Sequence, residues 1–169
     1  MRKNYKLTML SCFGSYLTQS TVINFLPLLF ITFHDSFGIP LQQITLLITI
    51  NFIVQLVVDL LAAIFIDRVG YRAGAVGSQA FCSAGLILLA FLPDLTPTPF
   101  VGILISVIVY SVGAGLIEAL ISPIVESTPS DNKETAMSLL HSFYCWGHVM
   151  VVLVSTLFFW AFGIEKWRI

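Results

Sequence analysis

Ala63-Ile64-Phe65-Ile66-Asp67-Arg68-Val69-Gly70-Tyr71-Arg72 sets a short charged turn between two apolar runs, Leu41 to Ile66 and Ala73 to Leu92. A bilayer core takes ~20 mostly apolar residues of helix to cross, and both runs reach that length. Three further runs do the same: Leu7 to Phe33, Phe100 to Ile124 and Ala136 to Phe162. Backbone N–H and C=O groups find no water inside lipid, so such runs must be helices. The sequence therefore predicts an all-α integral membrane protein. It reads as one membrane domain over residues 1–169, with five transmembrane helices over 7–33, 41–66, 73–92, 100–124 and 136–162.

Composition points the same way. Apolar residues make up 57% and charged residues 10%, against ~25% charged in an ordinary soluble domain. The mean hydropathy is +0.94. In water, so few charges would leave large apolar patches bare. A net charge of -1 offers no basic surface for nucleic acid. Cys12, Cys82 and Cys145 fall singly in three different runs, which gives no disulfide pair and no metal-ligand spacing. No cofactor or metal is expected.

Orientation follows from lysine and arginine. Arg2, Lys3 and Lys6 precede the first run, Arg68 and Arg72 lie in the second connection, and Lys133 lies in the fourth. The first and third connections, His34 to Pro40 and Pro93 to Pro99, hold none. The basic side is expected to be cytoplasmic, which puts the N-terminus inside and makes this a multi-pass plasma-membrane chain. Glu165-Lys166-Trp167-Arg168 then lies outside, weakly against the trend. The first run is too long for a signal-peptide core and carries Gln19 and Asn24, so it reads as an uncleaved span.

Polar residues inside the runs recur at helical spacing. Tyr16, Ser20, Asn24 and Pro27 align in the first span, and Asn51, Gln55 and Asp59 in the second. Ser111, Gly115, Glu118 and Ser122 align in the fourth; Ser138, His141, Cys145 and His148 align in the fifth. The simplest role for such stripes is hydrogen bonding between helices, worth ~0.6–2 kcal/mol per contact. Ionisable groups cost more in lipid and point toward a functional path. Asp59, Glu118 and His141 each lie about 7–11 Å from the cytoplasmic ends of their helices at the α-helical rise. Taking a carboxylate from water disfavours its charged form, so such a group can load and release a proton. Gly70, Gly74, Ser78 and Cys82 form instead a small-residue ridge, expected to seat a neighbouring helix.

The segment Ala63 to Arg72 resembles the signature between helices 2 and 3 of the major facilitator superfamily, Gly-x-x-x-Asp-Arg-x-Gly-x-Arg/Lys. Asp67, Arg68, Gly70 and Arg72 match it, and Ala63 replaces the first glycine. The resemblance implies a cytoplasmic gating cluster that latches one half of the carrier to the other during alternating access. It also implies two six-helix halves, of which this chain carries the first five helices. On that expectation the chain is truncated before helix 6 and needs a carboxy-terminal half to work.

A second likeness is narrower. Gly113-Ala114-Gly115-Leu116-Ile117-Glu118-Ala119-Leu120-Ile121-Ser122-Pro123, with Leu139-Leu140-His141 after it, looks like the pattern of fucose-permease-like sugar/proton symporters. Ser122 stands where that pattern has Asn. The resemblance implies a small polar solute such as a sugar, with protons as the second cargo. It makes Glu118 the proton-coupling residue, with His141 and Asp59 as further candidates. Gln19, Asn24, Asn51, Gln55, Tyr110 and His148 are candidates to line the solute path. The alternatives are a drug or metabolite/proton antiporter of the same superfamily, or a non-functional membrane fragment. Such antiporters usually carry Arg in helix 4 and Gly-Pro in helix 5, whereas Gly147 here precedes His148 and the fourth run has no Arg. A transmembrane haem would need facing histidines, and only the fifth span holds any. No enzymatic chemistry is expected.

Overall fold

The computed structural model describes residues 5–129 and 132–167, so Arg2, Lys3 and Arg168 of the orientation argument lie outside the described residues. Helices run from Tyr5–Leu28 (α1), Phe30–Phe37 (α2), Leu41–Val69 (α3), Tyr71–Leu95 (α4), Pro99–Ser127 (α5) and Lys133–Phe162 (α6). A 3-10 turn at Ile164–Lys166 follows. No strand occurs among the described residues. Four helices, α3 to α6, are long and apolar enough to cross a membrane.

The first span departs from the single helix expected over Leu7 to Phe33. α1 and α2 together qualify as a fifth crossing, bent by 44° between them. Pro27 is the cause: it has no N–H to donate and its ring crowds the carbonyl one turn back. Leu29 N turns to Leu26 O at 3.0 Å instead, and the helix resumes with Phe33 N on Leu29 O at 2.8 Å. Gly38, at φ 64, then ends α2. The other helices reach past their apolar runs. α6 begins at Lys133 because Asn132 caps it, its side chain accepting from Thr135 N at 3.1 Å.

The charged turn is as tight as a connection can be. Gly70 alone separates α3 from α4, with φ 89 and ψ 136. Its N–H bonds to Ile66 O at 2.7 Å and its carbonyl accepts from Gly74 N at 3.0 Å. An added Cβ would meet nothing within 4 Å, so the backbone angle, not space, demands glycine.

α5 is the axial helix. Of its most apolar window 56% is buried, against 11–22% in α3, α4 and α6. Small residues let its neighbours approach closely, which is how helices associate where lipid removes the hydrophobic drive. A Cβ on Gly113 would stand 2.6 Å from Ser78 O and Cys82 Sγ, and one on Gly85 2.5 Å from Tyr110 Cβ. The ridge read from the sequence therefore seats α5, and the pairing is antiparallel. α3 lies parallel to α5: Ser111 Oγ donates to Asn51 Oδ1 at 2.6 Å, and Gly115 faces the Gln55 carbonyl one turn on. α1 runs antiparallel to α5, and α6 parallel to α1, with Phe13 stacked on Phe143 at 4.8 Å. α1, α4 and α6 thus point one way and α3 and α5 the other, as a chain does when it crosses a bilayer back and forth.

Candidate functional site

Where α1 crosses α5, Tyr16 and Gln19 meet Glu118 and Ser122. Gln19 is 0% exposed. Its Nε2 donates to the Ala114 carbonyl at 3.2 Å and to Glu118 Oε2 at 2.5 Å. Glu118 is exposed on its other side, so one face of the carboxyl is gripped and the rest is open. One turn further along α5, the Tyr16 hydroxyl and Ser122 Oγ lie 3.0 Å apart.

α6 extends this polar face. The Tyr16 ring lies 6.0 Å from the His141 imidazole and 5.8 Å from the Tyr144 ring. Tyr144 in turn meets His148 edge-on at 5.4 Å. Tyr16 and Tyr144 both stand in the neighbourhood of Glu118. Around the buried Gln19 amide and Tyr16 phenol of α1, α5 and α6 therefore present a face of one carboxyl, two imidazoles, one phenol and one hydroxyl, all exposed or half-buried. Polar groups of this density are costly against acyl chains, so the face belongs toward water or protein.

The other candidates are distributed differently. Asn51 and Gln55 join α3 to α5, with Asn51 Oδ1 accepting from Ser111 Oγ and from Gln55 Nε2 at 2.9 Å. Asn24 Nδ2 bonds its own helix at Ser20 O, 2.6 Å away. Asp59 is half-buried on α3, level with Ala119 in the α3–α5 register; among the described residues no hydrogen bond or ion pair joins it to Glu118 or His141. Three solute-path candidates lie inside helix seams. Tyr110 is 1% exposed and packs into the α4–α5 seam against Gly85, its hydroxyl buried without a partner among the described residues. Gln19 and Asn51 are 0% and 4% exposed, and Gln19 Nε2 and Asn51 Oδ1 bond across the helix seams.

Sequence reasoning missed Tyr144 as a site residue. It stands three residues after His141 and four before His148, so helical spacing alone puts it on their face. The turn residues Asp67, Arg68 and Arg72 are all exposed at the α3–α4 end, on either side of Gly70, and no ion pair joins Asp67 to either arginine among the described residues. A groove of about 930 Å³ runs between α1 and α4 past Ser11, Ser15, Arg72 and Gln79, but it touches neither Gln19 nor Glu118. Among the described residues no group of His, Cys, Asp and Glu could hold a metal ion.

A family model described as the Major Facilitator Superfamily matches residues 8–169. The chain belongs to the major facilitator superfamily. Searches of curated proteins and of solved structures gave no match. Members of this superfamily are transporters, so this facilitator-superfamily chain is a multi-pass membrane protein of the secondary-transporter class, acting on a small-molecule solute. The charged turn Asp67 to Arg72 and the polar α1–α5–α6 face both lie inside the matched region.

Proposed function

We propose that this chain forms part of a carrier that moves a small polar solute of the sugar class together with protons, and that Glu118 carries the proton. The observation that supports this most is the hydrogen bond from buried Gln19 to Glu118, which places an acid, half gripped and half open, where α1 meets α5. An acid so placed can exchange protons on its open side while its other side reports to the helix contact. His141 stands beside it through the Tyr16 ring. Tyr144 and His148 supply an aromatic face and ring nitrogens of the kind that polyols bind.

The likeness of the Gly113 to Pro123 segment to fucose-permease-like symporters supports the sugar class. The exposed Asp67, Arg68 and Arg72 are positioned to latch against a second, carboxy-terminal half, with the basic end cytoplasmic. Asp59 is the second acid available for coupling or for that latch. Uptake of labelled monosaccharides at two pH values, by the full-length protein in proteoliposomes, tests the reading. Glu118→Gln should abolish uphill accumulation while leaving exchange. Undiminished uphill uptake in that variant would remove Glu118 from the proposed role.

A further inference from the structure

Two acceptors surround the Gln19 amide group. Its Nε2 lies 3.2 Å from the Ala114 carbonyl and 2.5 Å from Glu118 Oε2. A carbonyl oxygen and a carboxylate only accept, so the NH2 group must face them, and both of its hydrogens are then committed. Among the described residues, no donor reaches Gln19 Oε1, which is left buried. Buried acceptors without partners are uncommon and destabilising, so this one calls for an explanation.

Ionised Glu118 has no hydrogen to offer. Protonated on the oxygen that Gln19 does not hold, it has one, beside the amide. A carboxylic acid and a carboxamide set side by side close a ring of two hydrogen bonds: amide N–H to acid carbonyl, and acid O–H to amide carbonyl. The first of these is already present. Taking Glu118 as the proton carrier, on which this step rests, we infer that Gln19 is a positioning residue for proton loading. A proton taken from water on the open side of Glu118 supplies the second bond, from the acid hydroxyl to Gln19 Oε1, and its return to water breaks it.

The coupling consequence is direct. A loaded Glu118 ties α1 to α5 by two hydrogen bonds, and an empty one leaves a buried acceptor that relaxation of the seam would relieve. The proton state is thereby written into the helix contact at the site. Other titratable groups face the carboxyl. Tyr16 comes from α1 and Tyr144 from α6, with His141 behind Tyr16 and Asp59 level on α3. Tyr16 does not supply Oε1: its hydroxyl lies 3.0 Å from Ser122 Oγ, and among the described residues no donor reaches Oε1.

Infrared difference spectra of the full-length protein in liposomes, between low and high pH, test the pairing. The expected result is a carboxylic carbonyl band accompanied by a shift of a glutamine amide carbonyl band. That second signal should move when the protein is made with 13C-glutamine, a measurement that needs no variant to fold. Glu118→Gln should remove both signals. Gln19→Leu should remove the amide signal and move the carboxyl band to higher wavenumber. A Glu118-dependent carboxyl band with no label-sensitive amide shift overturns the pairing and leaves Glu118 as proton carrier. No Glu118-dependent carboxyl band across the titration overturns the carrier role and the pairing together.

Discussion

At the scale of single residues, the site is built from side chains that hydrogen-bond across helices. Glu118 was legible because an acid in an apolar run has few reasons to be there. Its partner was not: spacing shows that Gln19 and Glu118 are polar, but not which faces of α1 and α5 meet. Tyr16 and Tyr144 carry large apolar rings, so in a sequence they read as core until a hydroxyl or a ring finds a partner. Asn24 shows the opposite failure, since its amide bonds the Ser20 carbonyl of its own helix, a rotamer choice no periodicity records. The Tyr16–Ser122 contact makes a clean test because Tyr16→Phe keeps the ring against His141 and Tyr144. Tyr16→Phe should cost about 0.6 kcal/mol of stability, typical of hydrogen bonds between membrane helices. In a double-mutant cycle read by unfolding in detergent, adding Ser122→Ala should cost less than it does alone. Fully additive losses would show that the two hydroxyls do not interact.

At the scale of elements, the long helices were legible because bilayer thickness and backbone satisfaction leave no other structure for such runs. Their ends were less so. Asp67 to Val69 stay helical although charged, because Gly70 N still finds Ile66 O to close the last turn of α3. The break at Leu29 is a consequence of Pro27, which was visible in the sequence but also fitted a polar stripe. Gly70 carries the sharpest prediction at this scale. At φ 89 a Cβ is strained even though it meets no atom within 4 Å. Gly70→Ala should therefore lower stability by ~1–3 kcal/mol, the usual cost of holding an L-residue in a positive-φ region that glycine favours. Thermal unfolding of the two proteins in the same detergent measures it. An unchanged midpoint would mean that the α3–α4 turn adopts another conformation.

At the scale of the whole molecule, α5 holds α1, α3 and α4 around itself, and α6 joins through α1. That arrangement is consistent with the all-round apolar and small character of α5, from Gly102 and Ser106 to Gly113, Ala114 and Gly115. Phe52, Leu56 and Leu60 on α3 and Met150, Leu153 and Leu157 on α6 are exposed, and such side chains face lipid or a further part of the carrier at little cost. The polar face across α1, α5 and α6 is the exception on which the proposed transport path depends. His148 and Met150 lie close in depth on α6 but point to opposite sides of it. In a full-length protein with Cys12, Cys82 and Cys145 replaced by Ser, His148→Cys should react with a membrane-impermeant thiol reagent and Met150→Cys should not. An inert His148→Cys beside a reactive Met150→Cys would place water on the wrong side of α6 and contradict the account.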